Sequence, residues 1–174
     1  MMAAVHFVGA GPGAPDLITL RGLRALEAAD VVLYDSLVDL GLLAGLKAQR
    51  IFVGKRCGRH AMPQEEINEL LVRLASDGRQ VVRLKCGDPS VLGRVGEEAL
   101  HLCAHGISFE IVPGVSSATS VPALVVIPLT HRDRADAFTV VSAHPRERSE
   151  DRSIPPYHPR RSLVLLMAGA TVRE

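Results

Sequence analysis

Apolar and polar positions alternate along this chain in two rhythms. Short, nearly continuous apolar runs at residues 5–8, 31–34, 50–53, 81–84 and 108–112 read as strands buried on both faces. Between them the spacing becomes helical. Residues 64–76 are the clearest case: Ile67, Leu70, Leu71 and Leu74 share one face and charges occupy the other. Further helices are predicted over 19–29, with Thr19 as N-cap, and over 39–46, 93–105 and 116–125. Strands apolar throughout, alternating with helices through short connections, predict an α/β fold: an open parallel sheet with helices on both faces, αβα.

After about residue 135 the rhythm changes. Residues 138–142 and 162–167 read as two more strands. Between them, 144–161 is a charged Pro/Arg-rich stretch, HPRERSEDRSIPPYHPRR, that reads as a loop. Two strands cannot bury a core of their own. The expected organisation is therefore an amino-terminal α/β domain over 1–135 and, over 136–174, the truncated start of a second α/β domain. No internal repeat is visible.

Composition narrows the classes. Net charge is +1, and aromatics make up 3% with no Trp, which argues against a nucleic-acid partner. Cys57, Cys86 and Cys103 form neither a disulfide framework nor a zinc spacing. No signal peptide and no bilayer-spanning apolar stretch stands out, so a soluble cytoplasmic protein without a membrane partner is expected. His101 and His105 are four residues apart on a predicted helix, which can chelate a metal. Sequence offers no third ligand, so a half-exposed helix face is expected and no metal.

The chemistry begins at residues 9–13, GAGPG. Gly9, Gly11 and Ala14 fit G-x-G-x-x-A after a strand, and Asp35 ends the next strand. On spacing this matches a dinucleotide fingerprint, which would make the protein an NAD(P)-dependent oxidoreductase. Two prolines, Pro12 and Pro15, speak against it. Pro12 removes a backbone N–H where phosphates need one, and helical periodicity starts only near residues 17–19. The loop is better suited to a flat, uncharged moiety lying on backbone. A turn with no ligand, in a non-catalytic remnant or binding module, is the third reading.

Further segments, in order, are VVLYDSLV at 31–38, VGKRCGRHAMPQEEIN at 53–68, VVRLKCGDPSVLGRVGEE at 81–98, VPGVSSA at 112–118 and IPLTHRD at 127–133. With GAGPGAPDLITLRG they resemble the tetrapyrrole methylases, in particular the branch acting on uroporphyrinogen III. The resemblance runs from about residue 5 to 133, and weakly to 167. It implies two α/β domains with the active site between them, a homodimer, and no metal. It implies methyl transfer from S-adenosyl-L-methionine to two pyrrole carbons of uroporphyrinogen III, giving precorrin-2 for sirohaem and cobalamin.

On that resemblance, Asp35 matches a proton acceptor and Lys55 a proton donor. Pro12, Cys86, Gly87, Asp88, Val91, Ser116, Ser117 and Met167 match cofactor contacts. The substrate is an anionic tetrapyrrole whose rim of carboxylates calls for cations. Lys55, Arg56, Arg59 and His60 form one candidate cluster, and His131, Arg132 and Arg134 another. Two departures stand out. Cys86 replaces the first glycine of a Gly-Gly-Asp motif, which predicts weaker cofactor binding if that glycine serves a positive φ. The second domain is short, so activity of this chain alone, or its need for a partner supplying the missing domain, is an open question.

Overall fold

The computed structural model describes residues 4–54, 62–143 and 154–169. The chain divides into two compact units, Met1–Ser117 and Ala118–Glu174.

In the first unit, strands β1 (Val5–Gly9), β2 (Val31–Tyr34), β3 (Gln49–Phe52), β4 (Val81–Lys85) and β5 (Phe109–Val112) form one sheet in the order β3-β2-β4-β1-β5. Every pairing is parallel. Helices α1 (Leu20–Glu27), α2 (Gln64–Ser76) and α3 (Val95–Ala104) connect the strands. Side chains alternate across the pleat and build two cores. Phe7, Val31, Leu33 and Val81 pack with Ile67, Leu71 and Leu74 of α2 and Leu102 of α3. Val8, Val32, Val82 and Leu84 pack on the other face with Leu26 of α1 and with Leu42 and Leu43. Fully burying one such leucine contributes about 1.5–3 kcal/mol. This is the expected parallel αβα sheet.

Local details follow from single residues. The Thr19 hydroxyl accepts from Gly22 N at 3.1 Å, capping α1 as its sequence position predicts. A Cβ on Gly22 would meet Val8 Cγ1 at 2.9 Å, so glycine lets α1 lie close on β1. The helix expected over 39–46 is only a 3-10 turn, Leu40–Leu43. The Asp39 carboxylate starts it by accepting from Gly41 N at 2.6 Å, and it ends at extended Ala44, before Gly45 at φ 78°.

One expectation needs correction: the strands are not apolar throughout. Arg83 and Lys85 of β4 are 2% and 5% exposed. They share a parity with Val81, so both lie on the α2/α3 face. There they meet Glu98 of α3, which is fully buried. Opposite charges brought together under the helices replace the apolar contacts that periodicity anticipates.

In the second unit, α4 (Ser117–Leu124, whose first residue ends the first unit) precedes β6 (Ala137–Ser142) and β7 (Arg161–Leu166), a parallel two-stranded sheet. Val121, Leu124, Ile127, Phe138 and Leu163 are exposed. No described helix is long and apolar enough to cross a membrane.

Candidate functional site

The carboxyl ends of parallel strands are where such sheets hold ligands. Here three of those ends are drawn together by glycine. Gly11 N donates to Gly87 O at 3.2 Å, and Gly87 N donates to Gly11 O at 2.7 Å, so the loops after β1 and β4 clasp one another. Gly114, after β5, closes the third side. A Cβ on it would stand 2.2 Å from Gly87 O and 2.7 Å from Gly9 Cα. Gly11, Gly13 and Gly87 have φ of 81°, 143° and 67°, a region other residues enter at a cost. Pro12 sits between the first two. The short 3-10 helix Pro15–Leu17 then delays α1 until Leu20, so α1 does not begin inside the loop.

Asp88 joins two of these loops. One carboxylate oxygen accepts from Gly114 N at 2.9 Å, and the other from Ser90 N at 2.8 Å and from the Ser90 hydroxyl. Burial disfavours its charge, but the hydrogen bonds from Ser90 and Gly114 outweigh it and hold its pKa below the usual carboxylate value. Val91 N closes a turn on Asp88 O at 3.2 Å. Just beyond, Leu92 and Arg94 take φ of 53° and 56°, two left-handed non-glycine residues next to the clasp.

Cys86 is half-buried, its Sγ 3.9 Å from Gly11 O. Its φ is not positive; the left-handed position of the motif falls on Gly87. A side chain at 86 therefore adds no backbone strain. Burial first, then the Asp35 charge, pushes its thiol pKa up, the reverse of what a reactive thiolate needs. Ser116 and Ser117 border the same space. A Cβ at Gly87 would lie 3.8 Å from Ser117 N and 3.9 Å from Ser116 Cα.

Asp35 follows β2 on this edge. Arg83 Nη2 donates to its Oδ1 at 2.7 Å. Arg83 Nε also donates to Glu98 Oε1 at 3.2 Å, and Lys85 Nζ reaches both Glu98 oxygens at 3.1 and 3.0 Å. Gln64 of α2 donates to Glu98 Oε1 at 3.1 Å. The result is a connected chain, Asp35–Arg83–Glu98–Lys85, that backs the edge with fixed charge. Burial and the Arg83 charge lower the Lys85 pKa, with Glu98 and Asp35 opposing.

These supporting residues were missed from sequence. Their signal is basic residues at alternate strand positions 83 and 85, and Glu98 on the same helical face as the buried Val95 and Leu102. Lys55, Arg56, Arg59 and His60 lie outside the described residues.

In the second unit, His131 and Arg132 are exposed on a turn closed by His131 N to Ala135 O at 2.7 Å. The His131 Nδ1 accepts from Asp133 N at 3.2 Å. Arg134 is exposed on the same turn. Met167 follows β7 with φ 59° and is 55% exposed.

Residues 4–174 match the family model for Tetrapyrrole (Corrin/Porphyrin) Methylases. The chain belongs to that family. It is 47% identical to a uroporphyrinogen-III C-methyltransferase of Methanocaldococcus jannaschii over 176 residues, covering 100% of this chain and 73% of that one. It is 53% identical to a siroheme synthase of Azotobacter vinelandii over 152 residues, 86% of this chain but 33% of the relative. Against the siroheme synthase of Chromobacterium violaceum the coverage is 98% of this chain and 37% of the relative, so the chain spans about a third of these curated proteins. Among solved structures, a Thermus thermophilus uroporphyrin-III C-methyltransferase complexed with S-adenyl homocysteine aligns with a TM-score of 0.76 at 42% identity. That alignment covers 97% of this chain and 68% of the other. A further structure of the T. thermophilus enzyme aligns at 0.81 with 46% identity, over 97% and 69%.

Proposed function

We propose that this methylase-family chain serves the S-adenosyl-L-methionine-dependent C-methylation of uroporphyrinogen III, forming precorrin-2. The observation that carries the reading is the Gly11–Gly87 clasp at the carboxyl edge of the sheet, beside Asp35. The clasp fits such a cofactor. It presents backbone rather than charge, has Pro12 where a pyrophosphate would need a donor, and is followed by α1 only from Leu20. When bound, the cofactor supplies an electrophilic sulfonium methyl.

The protein's part is to hold a pyrrole carbon in line and to move protons afterwards. Pro12, Cys86, Gly87, Val91, Ser116 and Ser117 form the cofactor wall. Asp88 fixes that wall by tying the β4 and β5 loops. Asp35 is the proton acceptor, its Oδ1 held by Arg83. Lys55 as donor, Met167 as a cofactor contact, and Arg56, Arg59, His60, His131 and Arg132 as partners of substrate carboxylates are carried forward on family resemblance. So is a homodimer.

The test is twofold. Calorimetry with S-adenosylhomocysteine and with NADH should give binding of the first only; NADH binding alone would return the protein to the oxidoreductases. Incubation with uroporphyrinogen III and labelled methyl donor should give labelled precorrin-2, at least 100-fold more slowly in Asp35→Asn (about the contribution of one positioned base). Analogue binding without incorporation would leave a binding module.

A further inference from the structure

Helices α2 and α3 both start at the carboxyl edge of the sheet and run side by side away from it. A polar seam joins them. It begins at Gln64, which donates to Glu98 and, at 3.0 Å, to Asn68 Oδ1. One face of α3 carries Glu98 and His101, and His105, the C-cap just past its last residue, continues the row, at spacings of three and four residues. His105 thus lies about 10 Å along the helix from Glu98, toward the opposite end of the sheet.

At that end the seam holds three metal-binding side chains. His101 Nε2 stands 3.1 Å from Glu69 Oε1 of α2. That contact is not a hydrogen bond, and His101 Nε2 is shielded from water with no hydrogen-bond partner among the described residues. The His101 and His105 rings lie side by side, tilted by 37°, with centroids 4.5 Å apart. One ligand atom from each of Glu69, His101 and His105 lies within 4.8 Å of the other two.

The tautomer of His105 is also set. Its Nδ1 is 2.9 Å from His101 O, an oxygen that can only accept. Nδ1 therefore carries the proton and Nε2 the free lone pair. A ligating histidine is oriented in this way, by giving its other N–H to a carbonyl. Two imidazoles and one carboxylate, with a place left for water, suit a borderline divalent ion rather than magnesium or calcium.

We propose that Glu69, His101 and His105 form a divalent transition-metal site, with zinc as its natural probe, that staples α2 to α3. The ligand atoms stand somewhat wider than in tetrahedral zinc, where bonds of about 2.0–2.2 Å hold neighbouring donors closer. Glu69 is exposed and on a flexible side chain, so it can close that difference. This site is separate from the proposed methyl-transfer edge and does not depend on it.

The test is a zinc titration of the full chain after chelator treatment, by calorimetry, with cobalt(II) as a spectroscopic substitute. One ion should bind per chain, and thermal unfolding should shift upward with zinc concentration. His105→Ala changes an exposed residue and should weaken binding about tenfold or more; Glu69→Gln should weaken it less. Cys103→Ser should leave affinity unchanged, and the cobalt form should lack a thiolate charge-transfer band. Absence of binding, equal affinity in His105→Ala, or loss of binding in Cys103→Ser would each overturn the assignment.

Discussion

Arg83 and Asp35 sit on neighbouring strands, and the guanidinium of the first donates to the carboxylate of the second at 2.7 Å. The contact lies where the sheet's interior meets its carboxyl edge: Arg83 is 3% exposed at its side chain and Asp35 29%. A buried cation thereby sets the orientation of the acid at the edge.

Removing that cation tests the link. Arg83→Met should destabilise the protein by about 3–5 kcal/mol, since it removes one partner of a buried pair and leaves Lys85 as the cation on Glu98. Urea denaturation measures this. Arg83→Lys keeps the charge but not the fork that spans Asp35 and Glu98. It should retain more stability than Arg83→Met while still slowing methyl transfer.

Lys85 predicts an alkaline trend. Its folded-state pKa is lowered from 10.5, so between the two values the unfolded chain binds more protons than the folded one. Stability contributed by this group therefore rises with pH across that window. Comparing wild type with Lys85→Met by denaturation at increasing pH should show the difference moving in favour of wild type. A flat difference would mean that Lys85 keeps its proton throughout.

Asp88 predicts a trend of the same sign at the acid end. Its pKa is lowered from 3.8, so its contribution is present above that value and is lost as pH falls through the folded-state pKa. Asp88→Ala should cost about 1–3 kcal/mol at neutral pH by orphaning the Gly114 and Ser90 donors. The variant should also show a shallower loss of stability on acidification, read from thermal melts.

Neighbouring substitutions at the clasp should behave differently. Gly114→Ala forces a Cβ to 2.2 Å from Gly87 O and should cost about 3 kcal/mol or more. Cys86→Gly relieves no strain, because Cys86 is not left-handed, and should leave S-adenosylhomocysteine affinity within about threefold of wild type. Calorimetry on the second and denaturation on the first separate the two effects.

The sheet was legible in the sequence because β2 and most of β1 present apolar side chains to two covered faces, and α2 shows one clean stripe. The cap at Thr19 was legible because its chemistry is local. Arg83, Lys85 and Glu98 were not, since periodicity treats a charge as an outward position and cannot register that two strands and a helix will pair it. Glu69 escaped for a related reason. It is 32 residues from His101, and only the side-by-side course of α2 and α3 brings them together. The 39–46 segment misled because its leucines fit a helix while Asp39 and Gly45 shorten it.

The clasp of Gly9, Gly87 and Gly114 has an evolutionary consequence. At these positions three strand ends approach with no room or no backbone freedom for a side chain, so they offer selection almost no vocabulary. Variation that retunes ligand preference must accumulate around them, at residues such as Cys86 and Ser116, whose side chains can change without prying the strands apart. A saturation library of this unit should therefore show three silent columns bordered by permissive ones.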